Sequence, residues 1–315
     1  MNGHPTQPSV RVLAIVGPTA AGKSALGLEV ALRHGGEIVS ADSMQVYRGL
    51  DIGTAKPSPA ERASVRHHLI DVADPREDFN VAVYRRLAAQ AVECISRRGL
   101  LPVVVGGTGL YVRALLHDYD FSAPGADSQV RYALLRRAGT EGPEALHAEL
   151  ARVDPVAAEK VNPRDTRRIV RALEVWQATG RPISAGWRDA GFIYDALLVG
   201  LRLERAELYA RIDRRVEAML LAGLVEEVRG LVREGYSTAV ISGQALGYKE
   251  IVAHLEGRMS LKEAAGEIKR ATRRYAKRQM TWFRREPGVV WLDAAAHGPQ
   301  ELADQVAACM AARWG

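Results

Sequence analysis

One octapeptide near the N-terminus, Gly17-Pro18-Thr19-Ala20-Ala21-Gly22-Lys23-Ser24, constrains this chain more than any other stretch. It fits the pattern G-x-x-x-x-G-K-[ST]. It lies between an apolar run, Val10 to Val16, and a helical pattern from Ala21 to Arg33 that Gly35-Gly36 brings to an end. Strand, loop and helix in that order are the setting the motif requires. The glycines let successive backbone N–H groups turn toward a phosphate. The helix N-terminus adds the positive end of its dipole. Lys23 supplies a full charge, and Ser24 offers an oxygen to Mg2+. A Gly-rich turn without a ligand is a poor account of all these features together. The motif indicates a polyphosphate ligand without indicating ATP.

The remaining pattern predicts an α/β fold, a P-loop-containing parallel sheet core flanked by helices. Glu37 to Ala41 reads as a second strand and His68 to Val72 as a candidate third. Val81 to Arg98 reads as a helix, and Leu100 to Val105 as a strongly apolar strand before Gly106-Gly107-Thr108-Gly109. From Ser122 to Trp187 there are helical segments and turn signals but no strand pattern. The expected organisation is a catalytic core over 1–119 and 193–315 with a helical insertion domain over 120–192. The 315 residues exceed what one small core normally accommodates. Tyr194 to Leu203 returns to strand character, and Arg205 to Arg233 reads as a single long amphipathic helix. Val289 to Asp293 reads as a last strand before a C-terminal helix.

No run of about 18 apolar residues is present, so no membrane-spanning helix and no membrane partner are expected. Met1 to Ser9 lacks the apolar centre of a signal peptide. Two distant cysteines, Cys94 and Cys309, build neither a disulfide framework nor a metal ribbon. A cytoplasmic, monomeric protein is the expectation.

Two residues are placed to work on whatever the loop holds. Asp42 follows Ile38-Val39 by three residues, and the carboxyl ends of strands in an open parallel sheet face the ligand crevice. With the second strand beside the first, Asp42 stands by the phosphate, as a general base, as a Mg2+ ligand or as a turn cap. Thr108, at the end of the Leu100 strand, faces the same crevice or caps the next helix. A nucleotide hydrolase normally carries an acidic residue at such a strand end. Here Gly106-Gly107-Thr108 stands in that place, which counts against ordinary nucleotide hydrolysis.

The net charge of +6 is a weak sign of an anionic partner, and its location says more. Eight Lys/Arg and no carboxylate lie between Lys269 and Arg285. Arg270, Arg273, Arg274, Lys277 and Arg278 share one helical face, while Ile268, Tyr275, Trp282 and Phe283 point to the core. Five cations on one stripe with no carboxylate to relieve them favour nucleic-acid phosphates over an ordinary solvated face. Arg164, Arg167, Arg168 and Arg171 form a second cluster, in which Glu174 is a partner for Arg171.

Taken in order, these segments resemble the tRNA dimethylallyltransferase family, over nearly the whole chain. The resemblance rests on GPTAAGKSALGLEVA, then Ser40 to Tyr47, Asp51 to Pro57, His68 to Asp71 and Val105 to Tyr111. It continues through Arg168 to Val175, Gly243 to Glu250 and Lys277 to Trp282. It implies dimethylallyl diphosphate and the anticodon stem-loop of tRNA as substrates, with the adenine 3′ of the anticodon as acceptor and Mg2+ as cofactor. It implies that Asp42 takes the proton from the adenine amine and that Thr108 orients the amine or the carboxylate. Gly17 to Ser24, with Lys23, would hold the diphosphate, Ser24 would meet the metal, and Arg211 would reach the same diphosphate. Asp42, Ser43, Met44, Gln45 and Thr108 would lie against the RNA, and Arg131, Arg167, Arg168 and Arg171 would do so from the insertion. Gln244, Gly247, Tyr248, Lys249, Lys277, Arg278, Gln279, Thr281, Trp282 and Arg284 complete the implied RNA contacts. The chain lacks the cysteine–histidine set of members with a C-terminal zinc finger and resembles the shorter bacterial form.

Three other functions use the same parts: a small-molecule kinase, a prenyltransferase of free adenine nucleotides, and a nucleic-acid-binding module with a vestigial site. The first two leave the basic stripe without a purpose. The third leaves Lys23, Ser24, Asp42 and Thr108 without one.

Overall fold

A computed structural model describes residues 10–118, 128–187, 191–240 and 245–315. The chain divides into two compact units, Met1–Leu116 with Tyr194–Gly315, and His117–Ile193.

The first unit is built on a six-stranded sheet in the order β3-β2-β4-β1-β5-β6. The strands are β1 (Arg11–Val16), β2 (Gly36–Ser40), β3 (His67–His68), β4 (Leu101–Gly106), β5 (Asp195–Arg202) and β6 (Val289–Asp293). Every pairing is parallel. In β1, β4 and β5 nearly every residue is buried. Their continuous apolar runs are what a sheet covered on both faces demands. Leu13, Ile15, Val103, Val105, Leu197 and Val199 form one core with Leu26 and Val30 of α1 (Lys23–His34).

Three more helices, α2 (Pro59–Ser64), α3 (Val81–Arg97) and α4 (Gly109–Leu116), complete the N-terminal half. The helical unit contains α5 (Ser128–Glu141), α6 (Pro143–Val153), α7 (Pro155–Lys160) and α8 (Thr166–Thr179). It has its own core around Leu134, Leu146, Leu150, Ile169 and Leu173. Asp154 is buried there, accepting from Ala157 N at 2.9 Å and from Ser184 N and Oγ at 3.0 and 2.6 Å.

After β5 come α9 (Arg205–Leu221), α10 (Leu224–Arg233), α11 (Tyr248–Leu255), α12 (Leu261–Phe283) and, after β6, α13 (Pro299–Trp314). Val216, Leu224, Val228, Tyr248, Ile251 and Ile268 from α9 to α12 close a second core over Val46, Tyr47 and Leu50. The basic helix α12 starts on a capping box, Ser260 with Glu263. No helix among the described residues is long and apolar enough to cross a membrane.

Three local expectations need correction. The long helix over 205–233 is two helices. Gly223 has φ +100°, a left-handed conformation that ends α9 and redirects the chain while the apolar periodicity runs on. The third strand is only His67–His68, because Leu69 and Asp71 take positive φ (63° and 58°). The second strand does not lie beside the P-loop strand: β4 stands between β2 and β1.

Candidate active site

The register explains why Asp42 still reaches the cradle. Val16 is level with Gly106, and Ser40 is level with Val105, so β1, β4 and β2 end together. Ala41 N donates to Val105 O at 2.8 Å and Thr108 N donates to Ala41 O at 3.1 Å, which carries β2 alongside the exit of β4. A Cβ on Gly106 would meet Ala41 O at 2.2 Å, so the two exits approach this closely only because no side chain intervenes.

One pocket is lined by Thr19, Lys23 and Ser24 of the loop together with Ser40, Asp42, Gln45, Thr54, Pro57, His67, Arg215, Tyr275 and Gln279. Lys23 Nζ folds back to donate to Pro18 O at 2.7 Å. Burial lowers its pKa to about 7, against the opposing pull of Asp42, and Arg215 lowers it further. Burial also lowers the pKa of the Arg215 guanidinium, with Asp42 acting in the other direction. Two desolvated cations therefore converge on one carboxylate, an arrangement that an anionic ligand completes.

Asp42 Oδ1 accepts from Met44 N at 2.9 Å. The turn-cap role and the pocket-lining role thus hold together. Thr108 Oγ1 accepts from Ser43 N at 3.1 Å and donates to Ser43 Oγ at 3.3 Å. Burial raises the phenol pKa of Tyr275, and the neighbouring Thr108 and Gln279 side chains oppose that shift. His67, pushed down by burial, holds Val65 O through Nδ1 at 2.8 Å.

Gln279 fastens the site together. Its Oε1 accepts from Thr19 N at 2.8 Å, and its Nε2 donates to Gly107 O at 3.0 Å. A Cβ on Gly107 would stand 2.1 Å from that nitrogen, and one on Gly109 would stand 2.1 Å from the Trp282 ring. The Gly-Gly-Thr-Gly run is therefore the seat of α12, which explains why an acidic strand end is absent there.

Several expected RNA contacts are not at the surface. Gln279 is buried with its amide committed to the P-loop and Gly107. Gly247 and Tyr248 are buried, and the Tyr248 hydroxyl donates to Glu227 Oε1 at 2.6 Å. Trp282 is half-buried against Gly109. Gln244 lies outside the described residues. Lys249, Lys277, Arg278, Thr281 and Arg284 are exposed. The stripe is also less bare than its sequence suggests. Arg270 pairs with Glu267 one turn before it, and Arg273 with Asp213 of α9. Arg274, Lys277 and Arg278 are exposed, with Arg278 over the Tyr275 ring.

In the helical unit, Arg131 and Arg171 both donate to the buried Glu174, at 2.9 and 2.8 Å. The partner foreseen for Arg171 thus serves both. Arg167 and Arg168 are exposed, with Arg168 3.3 Å from Asp165.

Arg211 is not brought into the pocket. Its Nε donates to Glu207 at 2.8 Å and its Nη2 to Ala294 O at 3.0 Å. Arg215, one turn further along α9, lines the pocket instead. The signal for Arg215 was available as the i, i+4 spacing from Arg211. Tyr275 was assigned to the core face of α12, and no sequence signal set it apart from Phe283.

A second, larger groove of about 610 Å³ adjoins the pocket through Arg215 and Pro57. Ile52, Ala55, Pro59, Ala218, Met219 and Ala222 give it apolar walls. At its edge the buried Lys56 ammonium is held by Asp51 at 2.6 Å and Asp71 at 2.5 Å.

A six-stranded parallel sheet flanked by helices, with a G-x-x-x-x-G-K-[ST] loop after β1 and a carboxylate facing it, marks an α/β enzyme. The model of the IPP transferase family matches residues 45–286. A tRNA dimethylallyltransferase of Pelotomaculum thermopropionicum is 48% identical over 301 residues, covering 95% of this chain and 96% of that protein. The crystal structure of the full-length tRNA isopentenylpyrophosphate transferase of Bacillus halodurans superposes with a TM-score of 0.72 at 42% identity, covering 96% of each chain. A eukaryotic dimethylallyltransferase captured acting on tRNA gives a TM-score of 0.78 at 30% identity, covering 91% of this chain and 74% of that one. The chain belongs to the IPP transferase family.

Proposed function

We propose that this protein transfers the dimethylallyl group of dimethylallyl diphosphate to the exocyclic amine of the adenine 3′ of the anticodon in tRNA, releasing diphosphate. The observation that carries this is the convergence of Lys23, Ser24, Arg215 and Asp42 on one pocket. Family membership supplies the substrate pair.

The chemistry asks for help at both ends. The adenine amine is a poor nucleophile because its lone pair is shared with the ring. As its nitrogen bonds to the primary allylic carbon, the carbon–oxygen bond to diphosphate breaks and the amine proton must leave. Asp42 receives that proton. Its Oδ1 is anchored by Met44 N, which fixes the carboxylate in the pocket. Thr108, oriented by Ser43, aligns the amine or the carboxylate. Lys23, Arg215 and the loop N–H groups stabilise the charge that gathers on the departing diphosphate.

Mg2+ suits this site. The Ser24 hydroxyl is a hard oxygen donor in the pocket. No cluster of three or more His, Cys, Asp or Glu able to hold a metal occurs among the described residues. A cation bound mainly through substrate phosphates needs only one or two such protein oxygens. When bound there, Mg2+ supplies charge neutralisation at the phosphates.

The exposed cations Lys249, Lys277, Arg278 and Arg284, with Thr281, face the RNA backbone, and Arg167 and Arg168 of the helical unit do the same. Extracting the stacked adenine costs a few kcal/mol, which backbone contacts offset. The protein acts as a monomer. The test is to incubate the purified protein with labelled dimethylallyl diphosphate, Mg2+ and unmodified tRNA. Label should enter tRNA and not free adenosine monophosphate. Phosphate release from ATP without tRNA labelling would instead mean that the loop binds a nucleotide and that its ligand is not dimethylallyl diphosphate.

A further inference from the structure

Two helices reach the phosphate pocket together, α9 with Arg215 and α12 with Tyr275 and Gln279. A ladder of side chains joins them away from the cavities. Tyr209, Asp213 and Glu217 fall at i, i+4 and i+8 on α9 and share one face. Lys269 and Arg273 fall at i and i+4 on α12. Lys269 Nζ donates to Glu217 Oε1 at 2.6 Å, and Arg273 Nη2 donates to Asp213 Oδ2. The same guanidinium lies over the Tyr209 ring, 5.1 Å from its centroid. The partners run in opposite directions along the chain, so the two helices are antiparallel at this seam. Neither Asp213 nor Arg273 lines the pocket or the adjoining groove.

The outer rung is an ordinary surface pair. The Glu217 side chain is 61% exposed, and water screens such a contact. The inner rung differs. The Asp213 and Arg273 side chains are 31% and 33% exposed, and they meet through one N–H and one oxygen. Asp213 Oδ1 and Arg273 Nε are left buried without a hydrogen-bond partner. Drawing two charges out of water for one contact, with a donor and an acceptor unsatisfied, adds little to stability. Leu208, Ile212 and Ala276 already hold the helices together by apolar packing, which is non-directional. What the charged pair adds is direction. Arg215 follows Asp213 by two residues, and Tyr275 follows Arg273 by two. Each helix therefore presents the pair on one side and a pocket residue on the other. Fixing the pair fixes the rotation of α9 against α12, and with it the reach of Arg215 into the pocket.

We infer that Asp213 and Arg273 are positioning residues for the diphosphate, acting through Arg215, and that Arg273 serves this purpose and not RNA binding although it lies in the basic stripe. This rests on the reading of the pocket as a diphosphate site, and its test does not depend on turnover. Calorimetry with inorganic diphosphate compares the whole wild-type protein with Asp213→Asn and Arg273→Met. Each substitution weakens binding by about tenfold, within the coupling of neighbours that share one network. The double variant is no weaker than either single one. In an Arg215→Ala background neither substitution has a further effect, a result that general loosening of the two helices would not give. Affinity for unmodified tRNA, and its slope against salt, stays at the wild-type value in both variants. Asp213→Asn keeps the size and shape of the side chain, so the cycle with Arg215→Ala can be completed even where Arg273→Met folds poorly. Wild-type diphosphate affinity in Asp213→Asn, an undiminished loss in the Arg215→Ala background, or a lower salt slope for tRNA in Arg273→Met overturns the inference. A wild-type protein that does not bind diphosphate at all would count against the proposed function, and the inference would fall with it.

Discussion

Gln279, on the helix that carries the basic stripe, accepts the Thr19 backbone N–H of the phosphate loop at 2.8 Å. With its other amide atom on Gly107 O, this side chain makes α12 and the cradle one piece. Gln279→Ala leaves the buried Gly107 carbonyl unpaired, at a cost of about 1–3 kcal/mol, and frees the part-buried Thr19 N–H at a smaller cost. The expected outcome is a clear fall in the thermal midpoint together with weaker diphosphate binding, read by calorimetry. Unchanged diphosphate affinity would mean that the loop keeps its shape without this tie.

Lys23 gives the site a pH signature. Its pKa in the free protein is lowered to about 7 by burial. A bound diphosphate favours the protonated form, so binding above that pH takes up a proton. Affinity for diphosphate should fall as pH rises from 7 to 9, and calorimetry at pH 8 in buffers of different ionisation enthalpy should detect proton uptake. The stability contribution runs in the opposite sense. The unfolded lysine, with its ordinary pKa of 10.5, holds its proton to higher pH, so stability without ligand rises from pH 7 towards that value. Lys23→Met removes both effects.

Arg215 and Arg211 are separable by substitution. Arg215→Ala should weaken diphosphate binding by about tenfold or more, the scale of losing one charge-assisted hydrogen bond. Arg211→Ala should act mainly on stability, because its partners are Glu207 and Ala294 O. Equal losses of diphosphate affinity in the two variants would contradict the assignment.

The exposed basic residues predict a salt dependence. The triple substitution of Lys277, Arg278 and Arg284 by Ala should weaken tRNA binding and lower the slope of log affinity against log salt by about 0.7–0.9 for each phosphate that is no longer neutralised. Transfer rate at saturating tRNA should hardly move. A slope identical to wild type would remove these residues from the RNA interface.

How much of this the sequence carried depends on the kind of signal. The P-loop, the buried strands and the helical segment before Tyr194 were legible because each is a local pattern of periodicity or motif. Strand order was not local: whether β4 or β2 neighbours β1 depends on the crossovers, which the sequence does not spell out. The basic helix illustrates the mixture. Its charged face was visible in the spacing of Arg270 to Arg278, but the pairing of Arg273 with Asp213 requires α9 to lie alongside. Gln279 and Tyr248 sat in segments implied to contact RNA, and their burial follows from packing against Gly107 and Gly53. Arg215 shares a helical face with Arg211, but only the fold shows which of the two arginines reaches the pocket.

The proposed chemistry turns on Asp42 as the proton acceptor, and one comparison decides that role. Wild type and Asp42→Asn are mixed, enzyme in excess, with labelled dimethylallyl diphosphate and a tRNA bearing adenine 3′ of its anticodon, and a single turnover is followed. The wild type should label that adenine alone, and Asp42→Asn should bind the tRNA equally well but transfer about 10²–10⁴-fold more slowly. Near-normal transfer by Asp42→Asn, or labelling that persists when the adenine is replaced by guanine, would contradict the proposal.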